Sequence, residues 1–291
     1  MQDMRIKVGT INLQVREYKN VGDAILFLHF GGSNLMMWQR AIPYFEERYH
    51  LILADLRGHG KSDKPRTGYH IDEMASDIIG IMDYLGIEEA HVIGSSIGAE
   101  IGLSLAADYP EKIKSLSCEG ALYSEFGPYG LWEGTESAFK DYTQKRMKKM
   151  KEISPQVFPS IDAFVDERKK VFEKYGWWNE YIEAVERYDA FNVEEGQYTQ
   201  SWGKKAREDY TKHYFEYRFE EYYKRVKCPL LMLPDEGMLE NERAKEVMTG
   251  LRDLSVQGQI AEISGWVHPY GWLLGADKMS ERILSFLEEL K

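Results

Sequence analysis

A serine framed by two glycines carries the strongest chemical signature in this sequence. Ser96 stands in the segment Gly94-Ser95-Ser96-Ile97-Gly98, between an apolar run typical of a strand and a segment typical of a helix. A serine at such a sharp turn takes a strained backbone conformation, and the flanking glycines avoid collisions with the neighbouring strand and helix. The turn presents the hydroxyl above the sheet as a nucleophile. The N–H of Ile97, at the helix N-terminus, is then placed to stabilise an oxyanion.

A nucleophilic serine needs a general base, and the chain has seven histidines. Only His268 lies between a late strand and the terminal helix, where a base for Ser96 is expected. His29 belongs to a loop motif, and His59 has the surroundings of a scaffold residue. We therefore expect His268 to accept the proton of the Ser96 hydroxyl.

A glycine loop, His29-Phe30-Gly31-Gly32, directly follows an apolar strand. Such a loop can bring a backbone N–H over the sheet toward the nucleophile. We expect Gly31 to be the second oxyanion donor, beside Ile97.

Together these motifs resemble the α/β-hydrolase family. The resemblance covers nearly all of the predicted core: the loop after His29, a D-x-R-G-x-G-x-S segment at residues 55–63, the turn at Ser96 and the late His268. It implies an α/β fold with a mostly parallel central sheet, helices on both faces of the sheet and an inserted helical cap. It also implies a serine hydrolase that works without cofactor or metal.

Two positions depart from the family's pattern. Phe30 stands where the family usually has a glycine after the loop histidine. Met238 stands where the family most often places the acid that orients the catalytic histidine. Three carboxylates remain near that position, namely Asp235, Glu236 and Glu240.

Some members of the family carry the acid at the end of the strand before the cap, and there this chain has Glu119. A carboxylate at the buried end of an apolar strand is costly unless it has a partner such as the N–H of an imidazole. We therefore favour Glu119 as the acid, with Asp235 and Glu236 as the main alternatives and Glu240 after them.

The elements that must position these residues alternate along the chain. Apolar runs and helical periodicity predict strands at 11–15, 24–28, 51–54, 91–93, 113–118, 229–233 and 259–263, and helices at 35–49, 71–85, 97–109, 241–252 and 277–290. Residues 121–227 differ from the rest, because they are helix-like and hold 24 of the 38 aromatic residues. We therefore assign residues 1–120 and 228–291 to the core and 121–227 to a helical cap.

Composition narrows the classes of partner. The chain has 37 basic and 48 acidic residues, a net charge of −11, which argues against nucleic acid and membrane surfaces as partners. Cys118 and Cys228 show neither the clustering of a zinc site nor a disulfide framework. The N-terminal segment lacks the apolar run of a secretory signal, so we expect a cytoplasmic protein. The oligomeric state is left open.

The sequence thus predicts an enzyme that cleaves a small or medium-sized hydrophobic acyl compound, most simply a carboxylic ester, through Ser96, His268 and a carboxylate. Hydrolysis of a C–C bond, a thioester or a lactone, and perhydrolysis, use the same machinery and stay open. A receptor on the same fold, with little turnover, is the alternative from another class. Serine at position 96 argues against dehalogenase and epoxide hydrolase chemistry, for which the family has Asp there.

Overall fold

A computed structural model describes all residues from 1 to 291 and places an eight-stranded sheet at the centre of the molecule. The strands of the protein are β1 (Gln2–Val8), β2 (Ile11–Tyr18), β3 (Ala24–Leu28), β4 (His50–Ala54), β5 (Ala90–Ser95), β6 (Ile113–Glu119), β7 (Ala190–Glu194), β8 (Gln197–Gln200), β9 (Leu230–Met232) and β10 (Gly258–Ile260). The order in the central sheet is β1-β2-β4-β3-β5-β6-β9-β10. Within this sheet only the β1–β2 and β2–β4 pairs are antiparallel, so the predicted mostly parallel central sheet is confirmed.

Helices cover both faces of this sheet. The helices of the protein are α1 (Ile42–Phe45), α2 (Ile71–Leu85), α3 (Ile97–Asp108), α4 (Glu136–Glu152), α5 (Ile161–Glu173), α6 (Glu180–Asp189), α7 (Lys204–Tyr214), α8 (Phe219–Tyr223), α9 (Glu236–Glu240), α10 (Glu242–Leu254), α11 (Gly271–Leu274) and α12 (Asp277–Glu289). Successive side chains of β3 point to opposite faces of the sheet, so the neighbours Leu26 and Phe27 belong to two separate hydrophobic clusters. No helix combines the length and the apolar run that crossing a bilayer requires.

Several elements differ from the sequence predictions. The helix predicted over 35–49 is instead a short 3-10 helix (Leu35–Trp38) followed by α1, in whose first turn Pro43 lies. Proline is tolerated at a helix start but has no N–H to continue an earlier one. Strand β1 was not predicted, and it pairs with β2 at the edge of the sheet.

Residues 121–227 leave the sheet after β6 and return to it at β9, which is the neighbour of β6. This segment contains α4 to α8, as its helix-like sequence predicts. It also contains the antiparallel pair β7–β8, which the sequence analysis missed. Gly196, with a φ of +72°, makes the turn between these two strands.

Candidate active site

The turn at Ser96 has the strained geometry that its sequence predicts. Ser96 lies between β5 and α3 with φ of 51° and ψ of −120°, a region that residues other than glycine rarely occupy. The two flanking glycines are required by close packing. A Cβ at Gly98 would lie 2.0 Å from the carbonyl oxygen of Leu28, and one at Gly94 would lie 2.4 Å from that of Gly98.

Glu119, the last residue of β6, is buried and accepts hydrogen bonds from four donors. The Ser95 hydroxyl and the Nδ1 of His268 donate two of them. The indole N–H groups of Trp266 and Trp272 donate the others, each at 3.2 Å. These four hydrogen bonds compensate the burial of a carboxyl group that is only 1% exposed.

The two tryptophans were not predicted from the sequence as partners of the carboxylate. Both flank His268 in the chain, and that proximity was the only sequence signal for their role. Since Glu119 occupies Nδ1 of His268, Nε2 is the ring nitrogen that remains for proton exchange. Burial of the imidazole opposes its protonation, but the neighbouring Glu119 carboxylate outweighs that effect and raises the pKa of His268 above its ordinary value.

Ser96 and His268 line one cavity of about 100 Å³, which we call the Ser96 cavity. The two side chains are not hydrogen-bonded to each other in this structure. The other residues that line it are Glu100, Gly120, Ala121, Leu122, Tyr123, Tyr214, Phe219, Leu233, Asp235 and Met238. Tyr214 and Phe219 come from the segment 121–227, so that segment covers the serine with aromatic side chains.

The two predicted oxyanion donors follow two neighbouring strands, β3 and β5. Ile97 is the first residue of α3, where helical N–H groups have no partner within the helix. Gly31 follows β3, the strand that pairs with β5. The Gly31 N–H donates no hydrogen bond to another protein group. The indole of Trp202 covers this glycine, because a Cβ there would lie 2.8 Å from the ring.

The alternative acids have other partners or none. Asp235 caps α9, and its carboxylate accepts a hydrogen bond of 2.9 Å from the N–H of Met238. Glu236 and Glu240 are exposed at the surface. The structure therefore brings Glu119, rather than any of these three, into hydrogen-bond contact with His268.

A further acid in the Ser96 cavity was missed from the sequence. Glu100 lies in α3, one helical turn after Ser96, and is 4% exposed. Its two carboxyl oxygens both accept from the Tyr210 hydroxyl, at 2.9 and 2.8 Å. Burial raises the pKa of Glu100 to about 8, so this carboxyl is protonated at neutral pH. A charged residue type within the otherwise apolar start of α3 was its only sequence signal.

The polar groups of the loop at 55–63 hold the loop in shape, in agreement with the scaffold role predicted for His59. Asp55 accepts the backbone N–H groups of Leu35 and Lys61, both at 2.8 Å, and the Tyr188 hydroxyl at 3.0 Å. Burial raises the pKa of Asp55 to about 6. His59 is buried and its Nδ1 lies 2.9 Å from a backbone carbonyl in the same loop, so it does not reach the Ser96 cavity.

The family model described as alpha/beta hydrolase fold matches residues 23–252, most of the chain. The chain belongs to the α/β-hydrolase family. In this α/β-hydrolase, the matched region includes the loop after His29, the turn at Ser96 and Glu119, whereas His268 lies beyond it.

Several relatives of this α/β-hydrolase are named as hydrolases, and one is named as an acetyltransferase component. The chain is 37% identical over 125 residues to 2-(acetamidomethylene)succinate hydrolase of Mesorhizobium japonicum, covering 43% of each protein. It is 40% identical over 93 residues to 3-oxoadipate enol-lactonase 2 of Acinetobacter baylyi, covering 32% of this chain and 35% of the relative. These alignments thus span less than half of each relative.

The likeness of structure extends over the whole α/β-hydrolase chain. The crystal structure of an E-2-(acetamidomethylene)succinate hydrolase superposes with a TM-score of 0.75 and 25% identity, covering 99% of both chains. The agreement in fold with this hydrolase therefore includes the segment 121–227 as well as the central sheet.

Proposed function

We propose that this chain is a serine hydrolase that cleaves a small or medium-sized hydrophobic acyl compound, most simply a carboxylic ester. The observation that carries the proposal is that the strained Ser96 lines the same cavity as His268. The Nδ1 of His268 is hydrogen-bonded to the buried carboxyl group of Glu119. Nucleophile, acid and base thus come from the carboxyl end of β5, the last residue of β6 and the segment after β10, and together they form the set that acyl transfer to serine needs.

The proposed reaction has two halves. Ser96 Oγ attacks the carbonyl carbon while its proton passes to Nε2 of His268, and the oxyanion accepts hydrogen bonds from the N–H groups of Gly31 and Ile97. Collapse of this intermediate breaks the bond to the leaving group, which takes the proton from His268. Water then attacks the acyl-enzyme and gives its proton to His268. The second collapse releases the carboxylic acid and returns the proton to Ser96.

Lactone hydrolysis is the second candidate, supported by the relative named 3-oxoadipate enol-lactonase. It uses the same steps, except that the leaving group stays attached to the product. Another relative is named fluoroacetate dehalogenase. Ser96 stands where the family's dehalogenases have Asp, so we do not propose dehalogenation for this chain.

Labelling with a fluorophosphonate probe tests the proposal, because such probes react rapidly only with an activated serine. We expect labelling of the wild-type protein within minutes, at Ser96, and none of Ser96→Ala. A panel of acyl esters, thioesters and lactones then identifies the bond that is cleaved. Slow labelling together with no turnover across the panel would favour the receptor alternative.

A further inference from the structure

A second cavity has the Gly31 loop in its wall. This inner cavity, of about 130 Å³, is lined by Phe30, Gly31, Gln200, Trp202, Arg207 and eight further residues, most of them apolar. It therefore includes the loop that we propose to hold the oxyanion. Arg168 and Glu186 form an ion pair in the wall of this cavity, with 2.8 Å between Nε and Oε2. The two charges cancel, so this pair adds no net charge to the wall.

An outer cavity of about 930 Å³ adjoins the inner one, since four residues line both cavities: Arg168, Gln200, Trp202 and Arg207. Its wall includes exposed apolar side chains such as Val171, Phe191 and Val193. Six basic residues line it against a single acid, Glu167, although the whole chain carries a charge of −11. An apolar and locally cationic cavity favours a ligand that is apolar and negatively charged.

Arg168 and Arg207 are the two cations that line both cavities, and only Arg168 has an acidic partner, Glu186. The Nε of Arg207 is buried without a hydrogen bond, and no carboxylate forms an ion pair with its guanidinium. Burial lowers the pKa of Arg207, with no acid to oppose the effect. A half-buried guanidinium that lacks a counter-ion is energetically unfavourable. A ligand that supplies the missing negative charge would offset this cost.

The indole N–H of Trp202 is a second buried donor without an acceptor. Trp202 covers Gly31, so this donor belongs to the same wall as Arg207 and the oxyanion loop. The Nε of Arg207 and the indole N–H of Trp202 thus lack acceptors, and the guanidinium lacks a negative partner. A ligand that accepts hydrogen bonds and carries a negative charge would satisfy all three groups. A guanidinium presents its N–H groups as a planar fork, which matches the two oxygens of a carboxylate.

We propose that the substrate is an acyl compound that carries a second, free carboxylate, and that Arg207 binds this carboxylate at the junction of the inner and outer cavities. The scissile carbonyl then lies beside Gly31, and the apolar chain between the two groups fills the inner cavity. This inference rests on the proposed hydrolase function and adds the class of substrate. Arg207 is a specificity-determining residue in it, separate from the proton-transfer machinery.

The test uses pairs of esters that differ only in charge. Monoethyl succinate, glutarate and adipate carry the free carboxylate, and the corresponding monoethyl esters with a primary amide in its place are uncharged and nearly isosteric. We expect the wild-type enzyme to prefer the acid of at least one pair by tenfold or more in kcat/KM, mainly through KM. Arg207→Gln should lower that acid-to-amide ratio by about 10- to 100-fold, the value of a lost charge-assisted hydrogen bond.

Two further variants separate recognition from structure. Arg207→Lys keeps the charge without the fork, so an intermediate ratio is expected, and it carries the test if Arg207→Gln does not fold. Arg146→Gln removes the same charge from the exposed face of α4, outside both cavities, and should leave the ratio unchanged. A wild-type enzyme that prefers no acid, or an Arg207→Gln variant that weakens both members of a pair equally, would overturn the inference.

A binding measurement tests the carboxylate site separately from the proposed hydrolase activity. Calorimetry with glutarate and adipate, against their diamides, needs no turnover. If Ser96 reacts with the fluorophosphonate but the diacids bind no better than the diamides, the hydrolase proposal stands and the carboxylate site is rejected. If the serine is inert while the diacids bind in a manner that requires Arg207, the carboxylate site stands and the hydrolase proposal is rejected.

Discussion

The backbone N–H of Ser96 donates a hydrogen bond of 2.6 Å to the carbonyl oxygen of Glu119. The same two residues thus meet through the main chain at the ends of β5 and β6, where Ser95 and Glu119 are cross-strand neighbours. This contact braces the strained turn from the side of β6. It also places the carboxylate of Glu119 at the carboxyl edge of the sheet, within reach of the loop that carries His268.

Removal of the nucleophile or the base should abolish most of the activity. We expect Ser96→Ala and His268→Ala each to lower kcat for an activated ester by at least ~10³, because the members of such a unit act together. Both variants should keep the circular dichroism spectrum of the folded protein. Ser255→Ala, at a surface loop, is the control. Wild-type turnover in either variant would remove that residue from the mechanism.

The assignment of Glu119 as the acid predicts how strongly each of three variants loses activity. Glu119→Gln should lower kcat by up to ~10⁴, the effect of a wrongly held histidine in the serine proteases. Asp235→Asn and Glu236→Gln should cost less than about tenfold, since neither carboxylate contacts the imidazole. Steady-state kinetics on one ester give the ranking. The reverse order would move the acid to the loop after β9.

The raised pKa of His268 predicts where activity is lost in acid. The imidazole must be neutral to accept a proton, so kcat/KM should fall below a midpoint that lies above the ordinary histidine value of 6.5. Glu119→Gln removes the negative charge that raises this pKa, and the midpoint should then move to lower pH. An NMR titration of the imidazole measures both proteins without relying on turnover. A higher midpoint in Glu119→Gln would contradict the assignment.

Glu100 predicts a dependence of stability on pH. Its pKa is about 8 in the folded protein against an ordinary value of 4.5. A raised pKa contributes stability that is present below 4.5 and is lost as the pH rises through about 8, because the unfolded chain releases this proton first. The free energy of unfolding should therefore fall more steeply between pH 5 and 8 in wild type than in Glu100→Gln. Urea denaturation at both pH values measures the difference, and Glu240→Gln, at the surface, should behave as wild type.

The close approach of α3 to the sheet predicts a folding defect. In Gly98→Ala the new Cβ would lie 2.0 Å from the carbonyl oxygen of Leu28, so the helix must shift away from the sheet. We expect the free energy of unfolding to decrease by about 2–3 kcal/mol or more, with loss of activity. Gly203→Ala is the matched control, because a Cβ there meets no atom within 4 Å. Equal stability of the two variants would show that α3 can move freely.

Local patterns determined a large part of the fold. The helical periodicity of 71–85 and the glycine at 86 predict α2 with the bounds that it has, and Gly86 adopts the left-handed conformation, with φ of 68°. The turn at Ser96 is likewise a local property, since the strand, the two glycines and the helix follow one another within the chain. Neighbouring residues suffice for such features, because hydrogen bonds and steric limits act over one or two turns.

Partners that are far apart in sequence were decided by the tertiary structure. From the sequence alone, the cost of burying Glu119 only favoured it over Asp235. The pairing with His268 depends on strand order, which places residues 149 positions apart side by side. Glu100 was missed because its environment comes from Tyr210, 110 positions away in α7. The lack of a partner for Arg207 is also visible only in three dimensions. The charge and burial of a side chain depend on every element that packs around it, and a sequence records only the neighbours along the chain.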